Sequence, residues 1–399
     1  MSYLFNTMPN HGQPMPQADA ETLGVVAADR VEQVLALRDG HMPTPLVALP
    51  GLAQALGIGA LHVKDEGYRL GLGSFKALGG AYALMILVKE QAERSLDRPV
   101  AIAELTSASI RAVAAKMTFA CATDGNHGRS VAQGAAFMGA KAKIFVHSGV
   151  SQTRIDAIAQ FGAEILRVEG NYDDSVSEAA RVAKDMGWTI LSDTSWPGYE
   201  YIPGLVSQGY TAMVREALAI LPETPTHVFL QAGVGGFAAA VAGHLAVVLG
   251  SNRPHVTIVE PARAACLHAS AAAGYPVKVA ETEPTIMAML ECYEPSLMAF
   301  RILSHVADGF MTVGEDLAPE VMRRLASPLA GDPPVVSGES GGAGLAGLLA
   351  ALRNGELPQK LGLGPQARVL VINTEGATDP RLFEAIVGRS PSAVRGEAQ

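Results

Sequence analysis

Short apolar or β-branched runs alternate along the chain with longer stretches whose apolar residues recur at helical spacing. The short runs predict strands at Leu61–Lys64, Phe119–Thr123, Lys143–His147, Ile165–Val168, Thr189–Ser192, His227–Gln231, Val256–Glu260 and Val369–Asn373. The longer stretches predict helices at Phe75–Glu90, Arg129–Met138, Ser151–Phe161, Asp173–Met186, Pro203–Leu218, Gly236–Leu249, Ala318–Ala326 and Gly341–Leu352, with Ser151 and Asp173 as caps. Strands that are apolar throughout, separated by helices, predict an α/β fold with parallel sheet covered on both faces. Ligands bind such sheets beyond the carboxyl ends of the strands, so the turns that follow strands are the places to seek chemistry. Residues 1–20 are polar and rich in Pro and Met and read as a loose arm; 388–399 read as a frayed tail.

Val228 to Gly250 carries no formal charge, and ~20 apolar residues would cross a bilayer. Gln231, His244 and the glycines clustered near its start instead predict a strand, a glycine turn and a buried helix. Of the 399 residues, 49% are hydrophobic and 17% charged, which supports a large core and excludes wholesale disorder. Thirty Lys+Arg against 39 Asp+Glu give a net charge of −9 with no basic run, so no general nucleic-acid face is expected. A local pocket for a small anion is compatible with that balance. Cys121, Cys266 and Cys292 fit neither a disulfide scaffold nor a metal-ligand spacing. They predict buried thiols, a reducing cytoplasmic location and no bound metal. No Lys or Arg precedes Arg30 and no apolar block stands there, unlike a secretory signal.

Four strand-end turns carry chemistry. The first runs from Lys64 through Gly71, Gly73 and Ser74 to Phe75 and Lys76, a single lysine in an apolar helix start. A desolvated lysine amine is nucleophilic toward aldehydes. The second, Asp124-Gly125-Asn126-His127-Gly128, is a tight loop whose Asn can bond a phenolic oxygen, although an Asp at a helix start also serves as a cap. The third, Gly233-Val234-Gly235-Gly236-Phe237, follows a strand and opens a helix; bare amides there cradle a phosphate. Gly233, Gly235 and Ala238 also satisfy G-x-G-x-x-A, with Glu260 near the place of a ribose acid, so a nicotinamide-dependent oxidoreductase stays open on spacing alone. The fourth joins Ser337-Gly338-Glu339-Ser340-Gly341 with Asn373-Thr374-Glu375-Gly376, hydroxyls and carboxylates able to hold a ring nitrogen or simply to cap helices. No nucleotide-hydrolase loop and no H-E-x-x-H occurs, and no G-x-S-x-G elbow is expected, so nucleotide hydrolysis, zinc proteolysis and α/β-hydrolase chemistry lose support.

A lysine, a phosphate cradle and an Asn loop suit pyridoxal phosphate, which needs an amine, amides and a partner for its phenol oxygen. Ser74-Phe75-Lys76, Asp124-Gly125-Asn126-His127-Gly128 and Gly233-Val234-Gly235-Gly236 in this order resemble the tryptophan-synthase-β (fold type II) family of pyridoxal phosphate enzymes. Within it the chain is most similar to the diaminopropionate ammonia-lyase family. The segments concerned are Pro43-Thr44-Pro45-Leu46-Val47, Phe75-Lys76-Ala77-Leu78-Gly79-Gly80, Asp193-Thr194-Ser195-Trp196 and Pro284-Thr285-Ile286-Met287-Ala288. It departs from that pattern at Gly73-Ser74 and at Pro197.

The resemblance implies a two-lobed parallel-sheet fold and a homodimer. The expected domains are an N-terminal arm over 1–39, a large cofactor-binding domain from 40–88 with 200–399, and a small domain over 89–199, with the site in the cleft between the lobes. The implied reaction is α,β-elimination of 2,3-diaminopropionate, as D or L isomer, to pyruvate and ammonia; a serine or threonine dehydratase is the nearest rival. Lys76 is implied to bind the cofactor's aldehyde, with Phe75 beside it. Asn126 would meet the phenol oxygen, and Gly233, Val234, Gly235, Gly236 and Phe237 the phosphate. Glu339, Thr374 and Glu375 would lie near the ring, Thr374 and Glu375 competing for its nitrogen. Lys76 and Asp124 are assigned proton transfer on opposite faces of Cα, and Asp193 the substrate's β-ammonium. Ser195 and Ser340 are assigned the substrate carboxylate. Cys266 and Cys292 are implied to be neighbours.

Overall fold

The computed structural model describes residues 1–123, 125–329 and 331–397. They contain strands β1 (Ser2–Phe5), β2 (Leu46–Ala48), β3 (Ala60–Asp65), β4 (Thr118–Ala122), β5 (Lys141–His147), β6 (Glu164–Val168) and β7 (Thr189–Ile190). Four more follow: β8 (His227–Gln231), β9 (His255–Pro261), β10 (Gly309–Val313) and β11 (Arg368–Asn373). The chain divides into two compact units, one of Met1–Val25, Pro43–Phe75 and Met213–Gln399, the other of Val26–Met42 and Lys76–Ala212.

The first unit holds a seven-stranded sheet in the order β1-β10-β9-β8-β11-β3-β2. Its five inner strands are parallel; β1 and β2 pair antiparallel at the two edges. Every residue of β8 and β10 is buried, which is why these strands are apolar runs and do not alternate. Helices Gly236–Leu249 and Ala343–Leu352 are apolar nearly all round because both are buried almost throughout. Each fully buried Leu, Val or Phe of this core contributes about 1.5–3 kcal/mol of transfer free energy.

The second unit holds a parallel sheet ordered β6-β5-β4-β7. Helix Lys76–Leu96 packs on helix Asn126–Met138 at a distance only glycine permits: a Cβ on Gly134 would stand 2.8 Å from Ala81 Cα.

All eight expected strands and all eight expected helices are present within a few residues of their forecast ends. The differences have physical causes. The first residues are no loose arm: Ser2–Phe5 pair with β10, whose open edge they cover. Helix Val25–Leu35 buries Ala27, Ala28, Val31, Val34 and Leu35. The tail forms helix Pro391–Arg395, capped by Ser390, with Val394 buried at 3% exposure. Helix Tyr172–Met186 is capped by Asn171, which accepts from Asp174 N–H, and not by Asp173. The units also cut the chain differently from the expected lobes. Helix Lys76–Leu96 falls in the unit of its packing partner Asn126–Met138, and so do residues 26–42, of which 26–39 were expected in the arm and 40–42 in the large domain.

Candidate active site

In the second unit the turn after β4 is folded by Thr123, whose Oγ1 accepts from Gly125 N–H at 3.1 Å and Gly128 N–H at 3.2 Å. This starts helix Asn126–Met138 with Asn126 half-buried and His127 buried. Ser130 Oγ accepts from Ala81 N–H at 3.1 Å, which fixes the helix opened by Lys76 against the Asn-His-Gly turn. The loop after β7 is pinned by Tyr199, whose hydroxyl donates to Ile190 O at 2.9 Å and accepts from Ser192 N–H at 3.0 Å. Trp196 stacks on the Tyr199 ring with centroids 4.1 Å apart. That loop carries Asp193 and the buried Ser195. The Lys76 ammonium forms a salt bridge with Asp193 Oδ2. His127 Nδ1 lies 3.9 Å from the same oxygen.

Burial would raise the Asp193 carboxyl, but the Lys76 ammonium and then His127 outweigh it and hold the group well below the usual carboxylate range. Burial pushes the Cys121 thiol and the Tyr210 hydroxyl up, and the Asp193 charge adds to both shifts. Lys76, His127 and Asp193 are therefore brought together, with Asn126 and Ser195 on the adjoining segments. Asp124 lies outside the described residues.

In the first unit, helix Gly236–Leu249 follows directly on β8 through the turn Ala232–Gly235. Its first intrahelical bond runs from Ala239 N–H to Gly235 O at 2.8 Å, so the amides ahead of it have no acceptor within the helix. Gly235 sits at φ +96°, and a Cβ there would meet Leu267 Cδ1 at 3.0 Å. A Cβ on Gly233 would meet Cys292 Sγ at 2.8 Å. Backbone stripped of side chains at a helix N-terminus fits a phosphate. Phe75 packs on Phe237 with centroids 4.8 Å apart and donates its N–H to Thr374 O at 3.0 Å. Residue 75 is thereby tied both to helix Gly236–Leu249 and to the end of β11. Gln231 Nε2 donates to Thr374 Oγ1, Gly341 O and Ile372 O at 2.7–2.9 Å, joining β8 to the Thr374-Glu375 turn. Glu339 and Glu375 are buried at 3% and 2% exposure. Ser340 Oγ accepts from Met289 N–H at 3.1 Å, so this serine lies in the first unit and Ser195 in the second. Val234 O accepts from Ser296 N–H.

Two motif readings change. Glu260 faces no ligand: it is fully buried and its two oxygens accept from Leu267 N–H at 2.8 Å and His268 N–H at 2.6 Å, which removes the ribose acid of a dinucleotide site. Contrary to expectation, Gly338-Glu339-Ser340-Gly341-Gly342 satisfies G-x-S-x-G, but Ser340 at 1% exposure is no exposed nucleophile. None of the three cysteines is in a disulfide, and Cys292 is half-buried where a buried thiol was expected; Cys266 Sγ approaches Gly233 O at 3.7 Å, so Cys266 and Cys292 both flank Gly233. His127 and Gln231 had no assigned task. A polar residue directly after the apolar run Val228-Phe229-Leu230, at the carboxyl end of a buried strand, was the available signal for Gln231. Among the described residues no helix is long and apolar enough to cross a membrane.

A family model described as pyridoxal-phosphate dependent enzyme matches residues 37–375, and the chain belongs to that family. It is 42% identical over 362 residues to diaminopropionate ammonia-lyase of Escherichia coli (strain K12), covering 89% of each chain. Among solved structures it is similar to diaminopropionate ammonia lyase from Escherichia coli in complex with an aminoacrylate-PLP azomethine reaction intermediate, at 38% identity, TM-score 0.86 and coverage of 97% and 96% of the two chains. It is equally similar to that enzyme in complex with D-serine, at 37% identity, TM-score 0.87 and coverage of 97% and 96%.

Proposed function

We propose that this chain catalyses the pyridoxal phosphate-dependent α,β-elimination of 2,3-diaminopropionate, on both isomers, to pyruvate and ammonia. The family membership and the names of its relatives support the reaction. When bound, the cofactor supplies an electron sink for the charge left on Cα. Lys76 holds its aldehyde carbon and moves the Cα proton on one face; Asp124 is assigned the other face. The amides from Gly233 to Phe237 take the phosphate. Asn126 orients the phenol oxygen, and Glu339, Thr374 and Glu375 line the ring, with Phe75 packed behind. Ser195 and Ser340 are assigned the substrate carboxylate. A homodimer in the cytoplasm belongs to the same reading; light scattering tests the assembly.

One observation carries the choice of substrate: Asp193 holds a primary ammonium, that of Lys76, in a largely buried setting. Once the lysine nitrogen is committed to the cofactor, the carboxylate suits a second amine, the substrate's β-ammonium. A serine hydroxyl would give it a hydrogen bond without an opposite charge, weaker by about 1 kcal/mol or more, hence at least roughly fivefold in preference. We expect wild-type protein to release twice as much ammonia as pyruvate from diaminopropionate and to prefer it over serine. Asp193→Asn should erase most of that preference. Equal losses on both substrates would remove Asp193 from recognition and favour the dehydratase reading.

A further inference from the structure

His127 is the member of the Asn-His-Gly turn to which the mechanism above gives no task. Its Nε2 stands 2.9 Å from Leu191 O. A carbonyl oxygen only accepts, so Nε2 carries the hydrogen, and the neutral ring keeps its lone pair on Nδ1. That Nδ1 is buried and makes no hydrogen bond among the described residues. It faces Asp193 Oδ2 at 3.9 Å, one lone pair toward another, on the same oxygen that binds the Lys76 ammonium. An orphaned buried acceptor is costly, and a group kept in that state beside a carboxylate gains a charge-assisted bond as soon as one proton arrives.

We propose that His127 is a positioning residue that acts through Asp193, storing the proton that Lys76 gives up. This rests on the reading of Lys76 as the cofactor lysine. An N–H bond of the ammonium breaks and its electron pair stays on Nζ, leaving the amine neutral. The proton passes by Asp193 Oδ2, and an Nδ1–H bond forms on His127. The product is an imidazolium paired with a carboxylate, its Nε2–H still bonded to Leu191 O. The reverse transfer returns the proton. No oxidant or second reactant takes part.

The electrostatics agree with this direction. Burial holds the imidazole below its ordinary value; Asp193 opposes that, the Lys76 charge reinforces it, and the Leu191 carbonyl opposes it again. With Lys76 charged, His127 stays neutral. With Lys76 neutral, one of the two influences against the imidazolium is gone while Asp193 still pulls. Among the described residues, the other ionisable groups around the pair are Cys121 on β4, Tyr199 in the Asp193 loop and Tyr210 on helix Tyr201–Ile220. Burial raises all three, so each stays uncharged and none competes for the role.

The test is nitrogen-15 NMR of histidine-labelled protein, with the His127 signal assigned by His127→Gln, whose amide retains the donor to Leu191 O. Lys76→Met should raise the pH at which Nδ1 takes up its proton by roughly one unit or more, and Asp193→Asn should lower it. In cofactor-loaded protein, His127→Gln should lower kcat more than it raises KM and shift the pH profile of kcat. A histidine that only braces the turn would move neither. An Nδ1 titration unaffected by Lys76→Met, or an unaltered pH profile in His127→Gln, overturns the proposal. Borohydride trapping of the cofactor on wild-type protein is the separate check: an adduct away from Lys76 sinks the cofactor assignment, whereas the NMR comparison of free protein does not depend on it.

Discussion

At Gly235 the backbone lies at φ +96°, a conformation that residues with a Cβ rarely adopt, and Leu267 and Ala299 close the space where a side chain would go. An aspartate there adds strain, bulk and a negative charge where the phosphate is assigned. Gly235→Asp should weaken pyridoxal phosphate binding at least roughly tenfold, as two adverse effects of about 1 kcal/mol each imply. Equilibrium dialysis measures it, and an unchanged affinity would remove this loop from the phosphate site. The glycine turn, Lys76 and Asn126 were legible because their chemistry is local: bare amides, an amine or an amide at the end of a strand. The setting of His127 was not. It is defined by the Leu191 carbonyl and Asp193, both remote in sequence, and only the folded chain brings them to its two ring nitrogens.

Elements were legible where burial dictates composition, as in β8, β11 and helix Gly236–Leu249. They were missed where pairing does the work. β1 is half-exposed and gains its shape from the edge of β10. The Lys64–Arg69 segment hides a further device. Lys64 Nζ donates to Glu216 Oε2 at 2.6 Å; Arg69 bonds Glu216 at 2.7 and 2.8 Å and Glu66 at 2.8 and 2.9 Å. Both cations are fully buried. Thr44 joins them, its hydroxyl donating to Glu66 and its N–H to Glu216. Here β3, the segment that leads to Phe75, and helix Tyr201–Ile220 are tied by a buried cluster of charges. Glu216→Ala leaves two buried cations short of an anion and should destabilise by about 3–5 kcal/mol. By contrast Glu178→Ala, which breaks an exposed pair with Arg181, should leave stability nearly unchanged. Denaturant midpoints compare the two; equal effects would show that the buried cluster is no stronger a tie than a surface pair.

For the molecule as a whole, these buried charges set a slope of stability against pH. Burial lifts the Glu260 carboxyl from 4.5 to about 8, against the Leu267 and His268 amides that favour its charge, and lifts Asp65 from 3.8 to about 6 against Asn373 and Gly67. Groups raised on folding bind more protons in the native state than in the unfolded chain. Their stabilising effect is complete below the unfolded values, near 4, and is lost as pH rises through about 6 and then about 8. Glu216 and Asp308 behave in the opposite sense. Burial would raise them, but Arg69 and Lys64 for the first and Arg253 for the second hold them down, so their contribution is present above the ordinary carboxylate values and lost as acid is added. His62, His127, His227, His244, His255 and His268, which burial holds below the ordinary imidazole value, add to the acid limb, so stability falls as pH drops below about 6.5 and falls again as pH rises toward 8.5. Calorimetric Tm at steps of pH tests this. Glu260→Gln should flatten the decline above pH 6 while leaving the acid limb intact, because Glu216 and Asp308 are untouched. A Tm that rises steadily from pH 5 to pH 8.5 in the wild type would mean that Glu260 is charged in the folded protein, and its place beneath helix Cys266–Ala273 would then have to be a solvated one.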